Sequence, residues 1–478
     1  MSGETLALAH HYASLDFDAI PADVRAEGKR MLLDTMGCVI SASDTPVGKM
    51  VSQLGADMGA GRLADGTDYV ARSYEVGRLG NLMDLDEGYA YCHFGAAAVA
   101  GAMTVGRWRR VSGRELLTAL VAGYELGGQV ALGIGPEFKV QDGKPEGRLD
   151  VWGIAAPPVF AAVGAAARAL RLCAEQSNQA YAVAASNMPI PIGGKWSTEV
   201  DLPNTKYGDL GWCAMTGVLG AVSAMRGTTA VPTILDGDKG LIRIVQGGDN
   251  DSRRFLARLG ERWHLRRIFY KRWPVCGWIQ YPLAALDVLM KKHDIRVDDV
   301  TEVVVEVAGG ALIPRFTNTQ PEGFVSLQFS IPHAIAMLLM QVPSGPQWLS
   351  ADRAATPAVK AVRSRIRVEL SHAPQSYAWA DPFSPADAEQ NVLSAVRVTT
   401  TRGTFREESN FIFSENRHPH SAIEDAQVEA KFRGLVAPPH AQRLVSLVRD
   451  MEDLDDAGRL VDALYAALPG ADPDYHPS

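Results

Sequence analysis

The sequence predicts a mainly α protein: a large helical domain built from both ends of the chain, with a smaller α+β domain inserted between them. Three observations carry this. Apolar residues recur at helical spacing from residue 4 to about 265, as in Val24, Met31, Leu32, Thr35, Met36 and Val39. Two stretches rich in β-branched residues, 300–307 and 392–400, alternate as strands do. Helical periodicity then returns at 423–435 and 442–468. The expected division is 1–265 for the helical domain, completed by 406–478, with 266–405 as the α+β domain.

Taken in order, Ile20-Pro21-Ala22-Asp23 opens the first well-marked helix. An acidic loop, Asp84-Leu85-Asp86-Glu87 through His93, feeds the small-residue run 96–102, which reads as a tightly packed helix. His93 therefore falls at or just before a helix N-terminus, where partial positive charge and unpaired N–H groups suit an anionic substrate. Ser112-Gly113-Arg114-Glu115 is a capping box leading into the apolar stretch 116–121. Residues 159–172 form an alanine-rich helix, and 210–225 another with Gly211, Gly217 and Gly220. Glycine inside a helix costs stability, so its repeated use implies close helix–helix packing. In the second half, 366–370 reads as a further strand and 327–340 as helix.

A chain of 478 residues with 47% hydrophobic and 21% charged residues is long enough for large cores. The net charge of −8 argues against nucleic acid as a partner. An anionic small molecule still fits, because a few lysines can make a positive pocket in an acidic protein. Five cysteines lie scattered without a CxxC pair, so no disulfide framework or metal spacing is expected. The N-terminus lacks the basic start and apolar core of a signal peptide, and no run of about 20 apolar residues occurs. A cytoplasmic protein without a membrane span, metal or cofactor is the expectation.

Three constellations carry chemistry. The first is Asp84, Asp86, Glu87 and His93: a histidine near carboxylates can move protons near neutral pH. Acidic loops are ordinarily just solvated, but this one feeds a helix whose composition demands burial. The second is Asn204-Thr205-Lys206-Tyr207-Gly208-Asp209, entering the glycine-spaced helix from Leu210. A lysine there can pair with a substrate carboxylate or stabilise enolate charge, and Lys195 and Trp196 in the loop 191–197 belong to the same wall. The third is Lys271-Arg272-Trp273-Pro274-Val275-Cys276-Gly277-Trp278 at the domain junction, a favoured place for ligand clefts. Its adjacent cations form a candidate carboxylate clamp. His333 reads as a core residue, and His418-Pro419-His420 as loop.

With these segments, the chain resembles the MmgE/PrpD family over nearly its whole length. The resemblance rests on Ile20-Pro21-Ala22-Asp23-Val24, Leu33-Asp34-Thr35-Met36-Gly37, the acidic loop with His93, and Ala122-Gly123-Tyr124-Glu125. Thr205-Lys206, Lys271-Arg272-Trp273-Pro274 and Ala430-Lys431-Phe432 complete it. The resemblance implies that the inserted domain is a lid, that the protein is a homodimer, and that it works without metal or organic cofactor on a small di- or tricarboxylic acid. It also implies Asp84, His93, Lys206 and Lys271 as catalytic residues; Arg272, Cys276, Gln280, Tyr207 and Lys195, beside them in the same segments, are the candidate substrate-binding residues. Proton transfer alpha to a carboxylate or carbonyl is the shared chemistry, with His93 as acid or base.

The departures leave the reaction open. Cys276 stands where decarboxylating members carry a histidine, Gln280 lies near a histidine of other members, and a lid tyrosine aligns near Phe316. Gly88 replaces a threonine, and Val151-Trp152-Gly153-Ile154 lacks a motif histidine. Isomerisation or epimerisation and dehydration stand level, with decarboxylation behind. A pathway-specific elimination or cyclisation, and a non-catalytic metabolite-binding dimer, are the alternatives.

Overall fold

The computed structural model describes residues 3–469 other than 62–64, 91, 136–137, 142–143, 148–152, 191–192, 246–255, 257, 309–310, 372–393 and 411–422. His418, His420 and Trp152 lie outside the described residues. The fold is mainly α, with a small sheet toward the C-terminal part of the chain.

The centre is a stack of helices made close by small residues. It comprises α1 (Ala22–Ser43), α2 (Tyr69–Leu82), α3 (Gly95–Arg109), α4 (Gly113–Ile134), α5 (Ala156–Ala169) and α6 (Leu210–Met225). Helix α5 packs on α3, α4 and α6 at once. A Cβ on Gly123 would stand 2.5 Å from Ala161 O, and one on Gly217 2.6 Å from Val163 N. The glycines thus let the backbones touch, as their spacing predicted. Larger side chains fill the gaps: Leu117, Leu120 and Val121 of α4 are buried, each contributing about 1.5–3 kcal/mol by leaving water. The capping box at Ser112 and Glu115 forms in both directions. By length and composition alone α4 is long and apolar enough to cross a membrane, but its apolar window is entirely buried inside the protein.

The chain returns to this stack at its end. Helix α9 (Asp425–Leu435) lies on α1, where Phe432 packs over Gly37. The Gly458–Tyr465 helix lies on α3, tied by Arg107–Asp462 at 2.6 Å.

Eight short strands occur among the described residues. Strand β1 (Glu87–Gly88) pairs with β4 (Phe269–Tyr270), and β2 (Phe138–Gln141) with β3 (Lys144–Gly147). The larger sheet runs β6-β5-β7-β8, from β5 (Val300–Val307), β6 (Ile366–Leu370), β7 (Ser394–Thr400) and β8 (Gly403–Ser409). Only β5 and β6 are parallel, because the helical segment between them crosses over. Helix α7 (Gly277–His293) packs on β7 and β8. Strand β8 carries Arg406, Glu407 and Glu408 on the sheet edge, which blocks further pairing. Those charges also hid it: the strand runs past residue 405, where the periodicity suggested that the unit ends. The predicted 327–340 helix divides at Ser330, which caps the second part, into α8 (Phe324–Phe329) and Ile331–Leu339. The expected loop at 191–197 holds a short helix, Gly193–Thr198.

Candidate active site

The acidic loop is built by what surrounds it. Helix α2 ends at Leu82, and Asp84 turns the chain inward with φ +56°, a left-handed conformation that aspartate tolerates better than most residues. Three residues on, β1 pairs with β4: Glu87 stands opposite Tyr270 and Gly88 opposite Phe269. This two-residue ladder brings Lys271 beside a loop nearly two hundred positions away in sequence. Lys206 arrives from the segment before α6, where Asp209 caps the helix and pairs with Arg78. Its Nζ donates to Asn81 O at 2.7 Å, placing a cation at the negative end of α2.

Four of the predicted residues meet. Asp84 Oδ1 accepts from Lys206 Nζ at 2.9 Å and lies 3.1 Å from Lys271 Nζ. Lys271 Nζ stands 3.4 Å from His93 Nε2. On the other side of the ring, Nδ1 lies 2.6 Å from Glu87 O. A carbonyl can only accept, so Nδ1 carries the proton and Nε2 presents its lone pair to the lysine. Asp86 takes both of its oxygens to Asn81 Nδ2, at 3.0 and 2.9 Å. Lys431 closes the back of the loop through Leu85 O and Asp34, each at 2.6 Å.

Burial and pairing set the protonation states. Burial opposes ionisation of Asp84, but Lys206 and Lys271 overcome it and hold the carboxyl well below the usual range. Burial lowers Lys206 despite Asp84, whereas for Lys271 the carboxylates of Asp84 and Asp86 outweigh burial and raise it. Burial, then the Lys271 charge, lowers His93, which favours the neutral imidazole.

The acceptor at the α3 N-terminus is one of the protein's own groups, the Glu87 carboxyl. Glu87 Oε1 accepts from Phe94 N at 3.1 Å and Gly95 N at 2.6 Å, and Oε2 accepts from Tyr124 at 3.2 Å. Those N–H groups are therefore spent on fixing the loop, and Lys206 and Lys271 are the cations beside it. Burial, then Asp86, pushes Glu87 up to about 8.

The remaining candidates divide. Tyr207 stands beside the cluster, its ring 5.0 Å from Trp196 and 6.4 Å from Phe329, with Phe316 5.8 Å from Phe329. Cys276 is buried, its amide bonded to Gln328 O at 2.9 Å, and burial pushes its thiol up to about 11. It is therefore a neutral thiol rather than a nucleophile. Gln280 is buried with its amide donating to Trp273 O and Val275 O, so it braces the 271–276 loop. Arg272 lies over Trp273 and pairs with Asp287 at 2.8 Å. Lys195 is exposed and pairs with Glu199. His333 is in the core as expected, bonded to Trp348 O at 2.6 Å. Two residues that periodicity passed over bear on the site: Tyr124, which fixes Glu87, and Gln328, whose Nε2 donates to Leu82 O at 2.9 Å. Both sit in apolar helical runs, where only tertiary neighbours distinguish them from packing.

Comparison with known proteins identifies the family of the chain. The MmgE/PrpD N-terminal domain matches residues 6–254 and the MmgE/PrpD C-terminal domain residues 273–453. Two proteins of Aspergillus terreus named cis-aconitate decarboxylase are 21% and 22% identical over 371 residues, covering 71% of this chain and 72% of each relative. This chain belongs to the MmgE/PrpD family.

Proposed function

We propose that this protein is a lyase or isomerase that moves a proton at the carbon alpha to a carboxylate or carbonyl of a small di- or tricarboxylic acid. The observation that carries the reading is the setting of His93: a partly buried, neutral imidazole whose Nε2 faces an ammonium already paired with Asp84. A substrate carboxylate drawn to Lys206 and Lys271 would displace the Lys271–His93 contact and leave Nε2 free as base. The charge then forming on the carboxylate oxygens is an enolate, and the two lysines are placed to neutralise it in a water-poor site. Returning the proton from either face gives isomerisation. Loss of a β-hydroxyl from the enolate gives dehydration, with protonated His93 as the available acid. In this reading the side chains carry the chemistry without a cofactor, so turnover survives exhaustive chelation.

Decarboxylation is the second reading, favoured by the names of the Aspergillus relatives. There a carbanion must be protonated after carbon dioxide leaves, and the neutral thiol of Cys276 is the candidate donor. Release of carbon dioxide from an unsaturated tricarboxylate would select this reading.

Incubation with small di- and tricarboxylic acids in deuterated water tests the proposal. The wild type is expected to place deuterium at the alpha carbon of its substrate, and His93→Gln to slow this by about 10²–10⁴-fold. Undiminished exchange by the variant would remove His93 from the proton-transfer role.

A further inference from the structure

Two acceptor atoms at the edge of the cluster make no hydrogen bond among the described residues. One is Asp84 Oδ2; both lysines approach the other oxygen. The second is Oε1 of Gln328, a residue that is 0% exposed. The orientation of this amide is fixed by chemistry. Leu82 O can only accept, so the nitrogen of Gln328 faces it at 2.9 Å and the oxygen is turned away. The backbone of Gln328 is fixed as well, by Cys276 N at 2.9 Å. The side chain thus stands between the end of α2, two residues before Asp84, and Cys276, whose thiol feels the charges of Asp84 and Lys271. A buried acceptor without a donor costs about 1–3 kcal/mol. Two of them, one a carboxylate oxygen and one a neutral amide, flank the same turn.

We infer that Gln328 is a specificity-determining residue, whose Oε1, together with Asp84 Oδ2, receives a donor group of the substrate: a hydroxyl or a protonated amine. The inference rests on the proposed carboxylic acid substrate and adds that the acid carries such a donor beside the carbon that exchanges its proton. The lysines recognise the carboxylates and do not distinguish acids with the same number of them. Gln328 supplies that discrimination, because an acid lacking the donor leaves its oxygen unpaired.

Calorimetric titration with matched acids tests this: malate and aspartate against succinate, and citrate against tricarballylate. In the wild type the donor-bearing member of at least one set is expected to bind about tenfold more tightly than its partner. Gln328→Met should bring that ratio close to one while leaving the affinity for the partner acid within about threefold. Gln328→Glu, which can be held protonated and keep both a donor toward Leu82 O and an acceptor, should retain the preference and serves if the methionine variant does not fold. Equal binding within every set by the wild type, or equal weakening of both members by Gln328→Met, overturns the role of Gln328 and leaves the proposed function standing. Binding of none of the five acids overturns both.

Discussion

Replacing Asp84 by asparagine keeps the shape of the site and removes the carboxylate that both buried lysines touch. Lys271 is fully buried and Lys206 nearly so, with Nζ atoms 3.1 and 2.9 Å from the lost carboxylate oxygen. Stranding a buried charge in this way costs about 3–5 kcal/mol. The loss has a ceiling, since a lysine can give up its proton instead. From an ordinary value of 10.5, doing so at pH 7 costs about 5 kcal/mol, and at pH 9 about 2 kcal/mol. Lys206, already lowered by burial, is the one to yield. An unfolding entropy of about 2.1 cal/mol/K per residue makes 1 kcal/mol worth about 1 °C in Tm for 478 residues. Scanning calorimetry should therefore show Asp84→Asn about 3–5 °C below wild type at pH 7 and about 2 °C below at pH 9. A variant as stable as wild type at pH 7, or a deficit that does not shrink on raising the pH, would refute the shared-carboxylate reading.

Other consequences follow from the same geometry. The Glu87 carboxyl, held protonated up to about 8, binds a proton that the unfolded chain has already released. Stability should therefore fall as pH rises from the ordinary carboxylate range to about 8. Glu87→Gln keeps the acceptor for Phe94 and Gly95, so its Tm should decline less steeply over that window; parallel curves would contradict the assignment. Gln280→Leu removes the side-chain donor from the buried Val275 carbonyl and leaves Trp273 O only its bond from Val275 N, and should lower Tm by about 1–3 °C while changing acid binding less than twofold. Loss of binding at unchanged Tm would return Gln280 to the substrate. Lys206→Ala should weaken dicarboxylate binding at least about tenfold, and Lys195→Ala should not alter it; titration of both distinguishes a wall of the site from its surface.

Much of this was legible in the chain. Helical periodicity, the capping box at Ser112 and the glycine spacing in α6 are local signals, because side chains three and four positions apart must share a face. The acidic loop, His93 and the two lysines were recognisable as residue types in a family pattern. What they do to one another was not. The β1–β4 ladder sets Lys271 on the acidic loop, and no local pattern encodes a pairing across that sequence distance. Glu87 looked like one more acid on a loop, yet the fold turns it onto the α3 N-terminus. Lys195, Arg272 and Gln280 looked like site residues because of their neighbours in sequence; the structure gives Lys195 to the surface, Arg272 to Asp287 and Gln280 to its own loop. Gln328 lay hidden in an apolar helix. By itself, the sequence determined the long helices, the strands β5, β6 and β7 and the cast of ionisable groups, which follow from near-neighbour sterics and composition. The tertiary structure alone decided which carboxylate meets which cation and which buried polar atoms the described residues leave unpaired, because those depend on burial and on contacts between segments that only folding brings together.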